Sequence, residues 1–197
     1  MKKKSIIFFA TCATLLIYSC DGTKIEEKAT EIKDTVKTDV ANELDKLDAT
    51  QNNEFIKTVA KDNKREIVIG KLASEKATSK EVKSYAKMLV SQHTEANKEL
   101  LKIAEGKGVE IKDSVDEASE NKLKELKDVK GKDFDKKFIS GMIEDHEKDI
   151  EQFEKRAEKT KDAELKEWIE KTLPHLKHHL SEAQKIDSTL NLSKTKK

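Results

Sequence analysis

The sequence contains little of what breaks helices or builds β-structure. Its 197 residues include one proline and six glycines, and aromatic residues make up 5% of the chain. β-Branched residues form only short runs that lie inside helical periodicity, so strand signals are nearly absent. Charged residues are abundant instead, at 40% of the chain against 35% hydrophobic residues. This composition predicts an all-α protein whose long amphipathic helices have solvated outer faces.

Long apolar runs are also missing, apart from one at the start of the chain. A group of three lysines is followed by the uncharged run Ser5–Tyr18, which is too short to span a bilayer comfortably. The run leads into Ser19-Cys20, and residues 16–20 resemble a bacterial lipobox. We therefore predict a lipoprotein signal peptide over residues 1–19 and lipidation of Cys20 at the mature N-terminus. The alternative is cleavage by ordinary signal peptidase, with Cys20 a chance residue.

Cysteine occurs at Cys12 and Cys20 alone. Cys12 would leave with the signal peptide and Cys20 would carry lipid, so the mature chain would have no free thiol for catalysis and no disulfide. We expect an exported protein anchored through Cys20 to a membrane of the bacterial cell envelope, on its periplasmic or outer-membrane face. The 40 basic and 39 acidic residues are interleaved, so no basic patch predicts nucleic-acid binding. The sequence leaves open whether the protein binds a protein partner or forms a homo-oligomer.

The mature chain divides into three predicted segments. Residues 20–50 carry a thin apolar stripe at helical spacing, which predicts a helical tether between the lipid anchor and the domain. The alternatives for this segment are a docked extra helix and a coiled coil with another copy. Residues 51–190 are predicted to form a helical bundle, and residues 191–197 a basic tail that we expect to fray.

Four long helices are predicted in the bundle, because apolar residues recur in alternating steps of three and four. The first helix is predicted to begin with Asn52 or Asn53 as its N-cap and to end at a break at Thr78-Ser79. The second begins with Ser79 as its N-cap and ends near Gly106 and Gly108. The third and fourth cover about Asp133–Lys159 and Asp162–Leu190. The long connection before Asp133 indicates a crossover or a short extra helix within Ser114–Lys127. Gly70, Ala73 and Ala77 suggest close approach of a neighbouring helix.

Each long helix has a polar residue near its middle, where the register demands an apolar one. The four residues are Glu66, His93, His146 and His179. A rise of ~1.5 Å per residue places them in one layer, or in two adjacent layers, of an antiparallel bundle. Buried histidines need hydrogen-bond partners, a metal or an opening to water. His175 lies one turn before His179 and is expected at the rim of this layer.

Three interpretations of the layer stay open. Facing helices build metal sites in bundle cores from histidine and carboxylate, so the four residues are candidate ligands of a transition-metal ion, namely iron, zinc, copper or manganese. Alternatively, Glu66 hydrogen-bonds the imidazoles and the layer only fixes helix register. The protein would then be a non-catalytic envelope or stress-related interaction protein. In the third interpretation, the histidines titrate near neutrality and the layer responds to pH.

The residues of these helices also resemble a known family. The matching residues are Phe55, Ala60, Asn63, Glu66, Gly70, Leu72, Ala73, Ala77, Val82, Lys83, Ala86, Met88, Leu89, Val90, His93, Gly131, Phe134, Asp135, Met142, His146, Phe153, Leu173, Pro174, His179 and Leu180. They resemble the exported bacterial proteins classed as domain of unknown function 4142, over roughly residues 52–190. The resemblance implies an exported protein of ferritin-like fold, an up-down four-helix bundle, and implies no particular activity.

The sequence departs from the di-iron pattern of ferritin-like bundles, which uses Glu-x-x-His pairs. The residues three before the candidate histidines are Val90, Ile143 and Leu176. Asp145 and Glu147 flank the layer and do not replace those glutamates. This favours a mononuclear, histidine-rich site over a carboxylate-bridged di-iron site. Enzyme catalysis is a further functional hypothesis beside metal binding and protein interaction. The sequence contains no nucleophile, phosphate loop or paired carboxylate set that would support it.

Overall fold

The structure is a computed structural model that describes residues 22–112 and 117–192. These residues form five helices and no strand: α1 Gly22–Lys76, α2 Lys80–Gly106, α3 Glu117–Asp128, α4 Gly131–Lys159 and α5 Ala163–Leu192. The all-α prediction is confirmed. The predicted signal peptide, Cys20 and most of the basic tail lie outside the described residues. Within the described part of the chain, no helix has an apolar stretch long enough to cross a membrane.

The chain divides into two compact units, residues 1–43 and residues 44–197. In the first unit the described residues belong to α1, and Val36 and Val40 are 55% and 54% exposed. The second unit contains the remainder of α1 and the other four helices. The division falls a few residues before the predicted bundle segment begins.

The prediction that Asn52 or Asn53 caps a new helix is wrong, because α1 runs through both residues. Neither glycine nor proline occurs between residues 23 and 69, so nothing in the sequence interrupts helical hydrogen bonding there. The Asn52 amide nitrogen lies 3.4 Å from a carboxylate oxygen of Asp48, one turn earlier. This contact satisfies the amide inside a helix, where an N-cap was expected.

In the second unit α1, α2, α4 and α5 pack as a four-helix bundle. Helix direction follows from whether contacting residue numbers rise together or in opposite senses. Between α1 and α4 the pairs are Phe55–Phe153 and Arg65–Asp145, and between α2 and α5 they are Gln92–His179 and Glu99–Lys171. Between α2 and α4 they are Tyr85–Phe138 and His93–His146. The first two pairs of helices are antiparallel and the third is parallel. The helix order is therefore up, down, down, up. The predicted long connection crosses over between α2 and α4, and α3 is the predicted short helix within it.

The helix ends that position the bundle are set by local chemistry. The Ser79 side chain accepts hydrogen bonds from the Glu81 and Val82 backbone amides, which confirms the predicted N-cap of α2. Gly108 has φ of 67°, and the amides of Gly108 and Val109 bond back to the carbonyls of Glu105 and Ala104. This Schellman arrangement ends α2 at the predicted place.

The hydrophobic core consists of two clusters. One contains Phe55, Ile56, Val59, Ala60, Leu100, Ile103, Ala104, Val109, Phe153, Leu165, Trp168, Ile169 and Leu176. The other contains Ile69, Ala73, Ala77, Val82, Tyr85, Ala86, Leu89, Leu126, Phe134, Phe138, Ile139, Met142 and Ala183. In each bundle helix, the members of the two clusters are separated by the residue predicted for the polar layer. The layer therefore lies in the middle of the bundle, between two apolar halves.

Candidate metal centre

The structure brings the four predicted residues together from four different helices. Glu66 and His146 are fully buried, and His93 and His179 are 3% and 1% exposed. Glu66 Oε2 lies 2.8 Å from His93 Nε2 and 3.6 Å from His146 Nε2. His146 Nε2 lies 3.1 Å from His179 Nδ1. A carboxylate and three imidazoles thus form one buried polar cluster in the core of the bundle.

Each histidine ring is held in place through its outer nitrogen. That nitrogen lies 2.8 Å from an amide or peptide oxygen: His93 Nδ1 from Asn63 Oδ1, His146 Nδ1 from Met142 O, and His179 Nε2 from Gln92 Oε1. Since a carbonyl oxygen can only accept, the outer nitrogen donates in each case. In a neutral imidazole the inner nitrogen then carries a lone pair, and all three inner nitrogens face the common centre. Metal-binding histidines are oriented by neighbouring groups in this way.

The inner nitrogens are poorly satisfied by protein atoms alone. His93 Nε2 and both Glu66 carboxylate oxygens have no hydrogen-bond partner of acceptable geometry among the described residues. His146 Nε2 and His179 Nδ1 face each other at 3.1 Å, so two neutral rings would place lone pairs against each other there. Leaving a buried polar group unsatisfied costs about 1–3 kcal/mol. A cation at the centre, either a shared proton or a metal ion, would remove this penalty.

Burial and neighbouring charge shift the pKa values of two groups in the layer, His179 and Glu66. Burial, together with the neighbouring His93 and His146, lowers the pKa of His179 to about 2, so this imidazole is neutral at physiological pH. Burial by itself raises the pKa of the Glu66 carboxyl, but positive charge on the adjacent His93 and His146 rings outweighs burial and holds that pKa below its usual range. Glu66 is therefore a carboxylate. A metal ion in place of that positive charge would likewise keep Glu66 ionised, and ionised carboxylate and neutral imidazole are the forms required of ligands.

Several of the distances between candidate ligand atoms are close to those of a tetrahedral site. Ligand nitrogens of His93, His146 and His179 all lie within 4.8 Å of one another. Metal–ligand bonds of about 2.0–2.1 Å place neighbouring ligand atoms of a tetrahedron roughly 3.3 Å apart. Glu66 Oε2 lies 2.8 Å from His93 Nε2 and 3.6 Å from His146 Nε2, and His146 Nε2 lies 3.1 Å from His179 Nδ1. The three buried histidines could therefore hold a metal ion.

Two other acidic residues near the layer, Asp62 of α1 and Asp145 of α4, pair with basic side chains. Asp145 is 8% exposed, and its Oδ2 lies 2.5 Å from Lys122 Nζ and 3.8 Å from Arg65 Nη2. Arg65 also pairs with Asp62. Glu147 is exposed. The expectation that Asp145 and Glu147 only flank the layer is consistent with this arrangement.

Sequence reasoning missed the groups that orient the histidines. Asn63 stands one turn before Glu66 on the same face of α1, and its polarity in the apolar register was the available signal. Gln92 gave no signal, because a polar residue next to a core histidine in the sequence looks like any surface residue. The Met142 carbonyl gave none either, because every residue has a backbone oxygen. His175, predicted at the rim, is exposed and lines a cavity next to His93 and His179.

Fold and site together define a helical bundle with one long crossover and a buried histidine layer. The chain belongs to the family described as domain of unknown function (DUF4142), whose model matches residues 27–186. This confirms the family predicted from the sequence. Comparison with curated proteins and with solved structures gives no match.

Proposed function

We propose that this protein is an exported, lipid-anchored envelope protein whose ferritin-like bundle binds one transition-metal ion. The observation that carries the proposal is the convergence of three buried histidine nitrogens from α2, α4 and α5 within 4.8 Å of one another. Each belongs to a ring whose other nitrogen bonds an oxygen. Glu66 Oε2 would be the fourth ligand. Four protein ligands fill a tetrahedron, which is typical of structural sites more than of catalytic ones.

The ferritin-like fold and the lipid anchor are supported by other observations. A single long crossover in a four-helix bundle is the connectivity of ferritin-like folds, and this supports the ferritin-like assignment. The lipid anchor is supported by the sequence of residues 1–20, where a basic start, an apolar run and Ser19-Cys20 coincide.

Metal content tests the central proposal. The full chain would be purified without a histidine tag, exposed separately to iron(II), zinc, copper and manganese, desalted, and analysed by elemental mass spectrometry. We expect about one ion per chain for at least one of these metals, and loss of that ion in His93→Ala. His178→Ala is the matched control, because His178 is exposed and lies outside the layer. Absence of a stoichiometric ion with all four metals would refute the proposal.

The second candidate is a non-catalytic interaction protein in which the layer only sets helix register. The 2.8 Å separation of Glu66 Oε2 and His93 Nε2 favours it, since a protonated imidazole would form an ion pair at that distance. The double variant His93→Leu/His146→Leu distinguishes the two. For a structural layer, apolar replacement should be neutral or stabilising, and added metal should not change the melting temperature of the wild type. For a metal site, metal should raise the melting temperature of the wild type and leave the double variant unchanged.

A further inference from the structure

A cavity between α2 and α5 leads from the protein surface to the histidine layer. Its volume is about 260 Å³, and its wall includes His93 and His179. Both histidines are nearly fully buried, whereas Glu95 and His175 in the same wall are exposed. The His93 Nε2 atom faces Glu66 Oε2 at 2.8 Å but forms no hydrogen bond of acceptable geometry among the described residues. The cavity therefore extends from solvent to two of the three candidate ligand residues.

The outer part of this cavity carries groups that bind cations and one group that repels them. Glu95, Glu99 and His175 offer carboxylate and imidazole ligands. Lys171 of α5 reaches across to Glu99 of α2, with 2.7 Å between Nζ and Oε1. The Lys171 side chain is 63% exposed and that of Glu99 is 32% exposed. An exposed ion pair of this kind contributes at most about 1 kcal/mol, so thermal motion opens it readily.

We propose that metal ions reach the His93–His146–His179 site through this cavity, and that the Lys171–Glu99 ion pair at its mouth regulates their entry. The inference rests on the proposed metal site and adds a route and a rate-controlling contact to it. Glu99 is the carboxylate that Lys171 occupies, and it binds an entering cation once Lys171 has moved away. Lys171 slows entry in two ways, since it occupies the Glu99 carboxylate and places a positive charge beside the path.

Two single substitutions should change the rate of metal uptake in opposite directions. Lys171→Gln frees Glu99 and removes the repelling charge, so uptake should be about threefold faster. Glu99→Gln removes a carboxylate that attracts the cation and leaves the Lys171 charge unpaired, so it should slow uptake by a similar factor. The probe is cobalt(II) alone, mixed with chelator-treated full-length protein in a stopped-flow instrument and followed by its visible absorption. Both effects should shrink as ionic strength rises.

The chain offers a matched control pair. Lys177 of α5 and Glu154 of α4 also form an exposed ion pair, at 2.7 Å, and neither residue lines the cavity. Lys177→Gln and Glu154→Gln should take up cobalt(II) at the wild-type rate. A contact that controls passage changes entry and exit together, so release into excess chelator should change in the same direction as uptake, with the dissociation constant of cobalt(II) within about twofold of wild type.

The outcomes separate this inference from the function on which it rests. Wild-type uptake rates in both Lys171→Gln and Glu99→Gln would overturn the gate and leave the metal site standing. Equal acceleration in Lys177→Gln would also overturn it, because the effect would then be one of overall charge. Failure of the wild-type protein to bind cobalt(II), zinc, iron(II), copper or manganese would overturn the proposed function and this inference together.

Discussion

The Asp149 carboxyl lies among like charges on the α1–α4 side of the histidine layer. Burial, followed by the nearby Glu66 and Asp62 carboxylates, raises its pKa to about 9. Its ordinary pKa is 3.8. Between these two values the folded protein keeps a proton that the unfolded chain has released. The contribution of this residue to stability is therefore fully present below about pH 3.8 and is lost as pH rises toward 9.

Asp149→Asn should reduce this loss of stability with rising pH, because an amide does not titrate. Denaturant unfolding of both proteins in the presence of a chelator would give the free energy of unfolding at pH 5 and pH 8. The stability of the variant relative to wild type should increase by about 1 kcal/mol or more between these conditions. Exposed Glu151→Gln serves as the control. Parallel pH curves for Asp149→Asn and wild type would contradict the prediction.

At the scale of elements, the contact between α1 and α2 depends on a missing side chain. A Cβ atom at Gly70 would lie 2.9 Å from Val90 Cγ2 and 3.3 Å from the Ala86 carbonyl oxygen. The first distance is closer than packed atoms tolerate. This confirms the predicted close approach of a neighbouring helix at Gly70. The approach also brings Glu66, one turn earlier on α1, to His93 of α2.

Substitution of two helical glycines by alanine measures the cost of this contact. Gly141 in α4 is the matched control, since the nearest atom to an added Cβ there is Lys122 Cε at an ordinary 3.7 Å. Alanine should stabilise either helix by up to about 1 kcal/mol through backbone entropy. At Gly70, overpacking opposes that gain by about 1–3 kcal/mol. Gly70→Ala should therefore be less stable than Gly141→Ala in urea unfolding, and equal stabilities would disprove a tight contact.

For the whole molecule, the central prediction concerns its attachment to the membrane. If Cys20 is lipidated, the full chain expressed in a bacterial host should sediment with membranes and incorporate labelled palmitate. Acyl chains bind a bilayer with about 0.8 kcal/mol per buried methylene group, so their loss should be decisive. Cys20→Ser should abolish labelling, and the protein should leave the washed membrane fraction. Cys12→Ser is the control and should behave as wild type. Equal labelling of Cys20→Ser and wild type would refute the anchor.

Helix type and helix register were predictable from the sequence, because both depend on local periodicity. Glu66, His93, His146 and His179 stood out as polar residues in apolar seams, and the rise of a helix is constant enough to compare their depths. The capped start of α2 at Ser79 and its end at Gly108 were predictable for the same reason. The supposed helix start at Asn52 was wrong, since asparagine favours a cap only when the preceding residues leave the helix, and here they continue it.

Tertiary structure alone decided the directions of the helices and the chemistry of the layer. Contacts such as Tyr85–Phe138 show that α2 and α4 are parallel, which no single-helix pattern reveals. Which imidazole nitrogen faces the centre depends on Gln92 and on the Met142 carbonyl, which lie beside the rings only after the helices pack. The pKa of Asp149 likewise depends on carboxylates from α1. The sequence thus determined the positions of the polar residues, because side-chain spacing along a helix is local. Their orientation and charge were decided by the fold, because both depend on atoms distant in the chain.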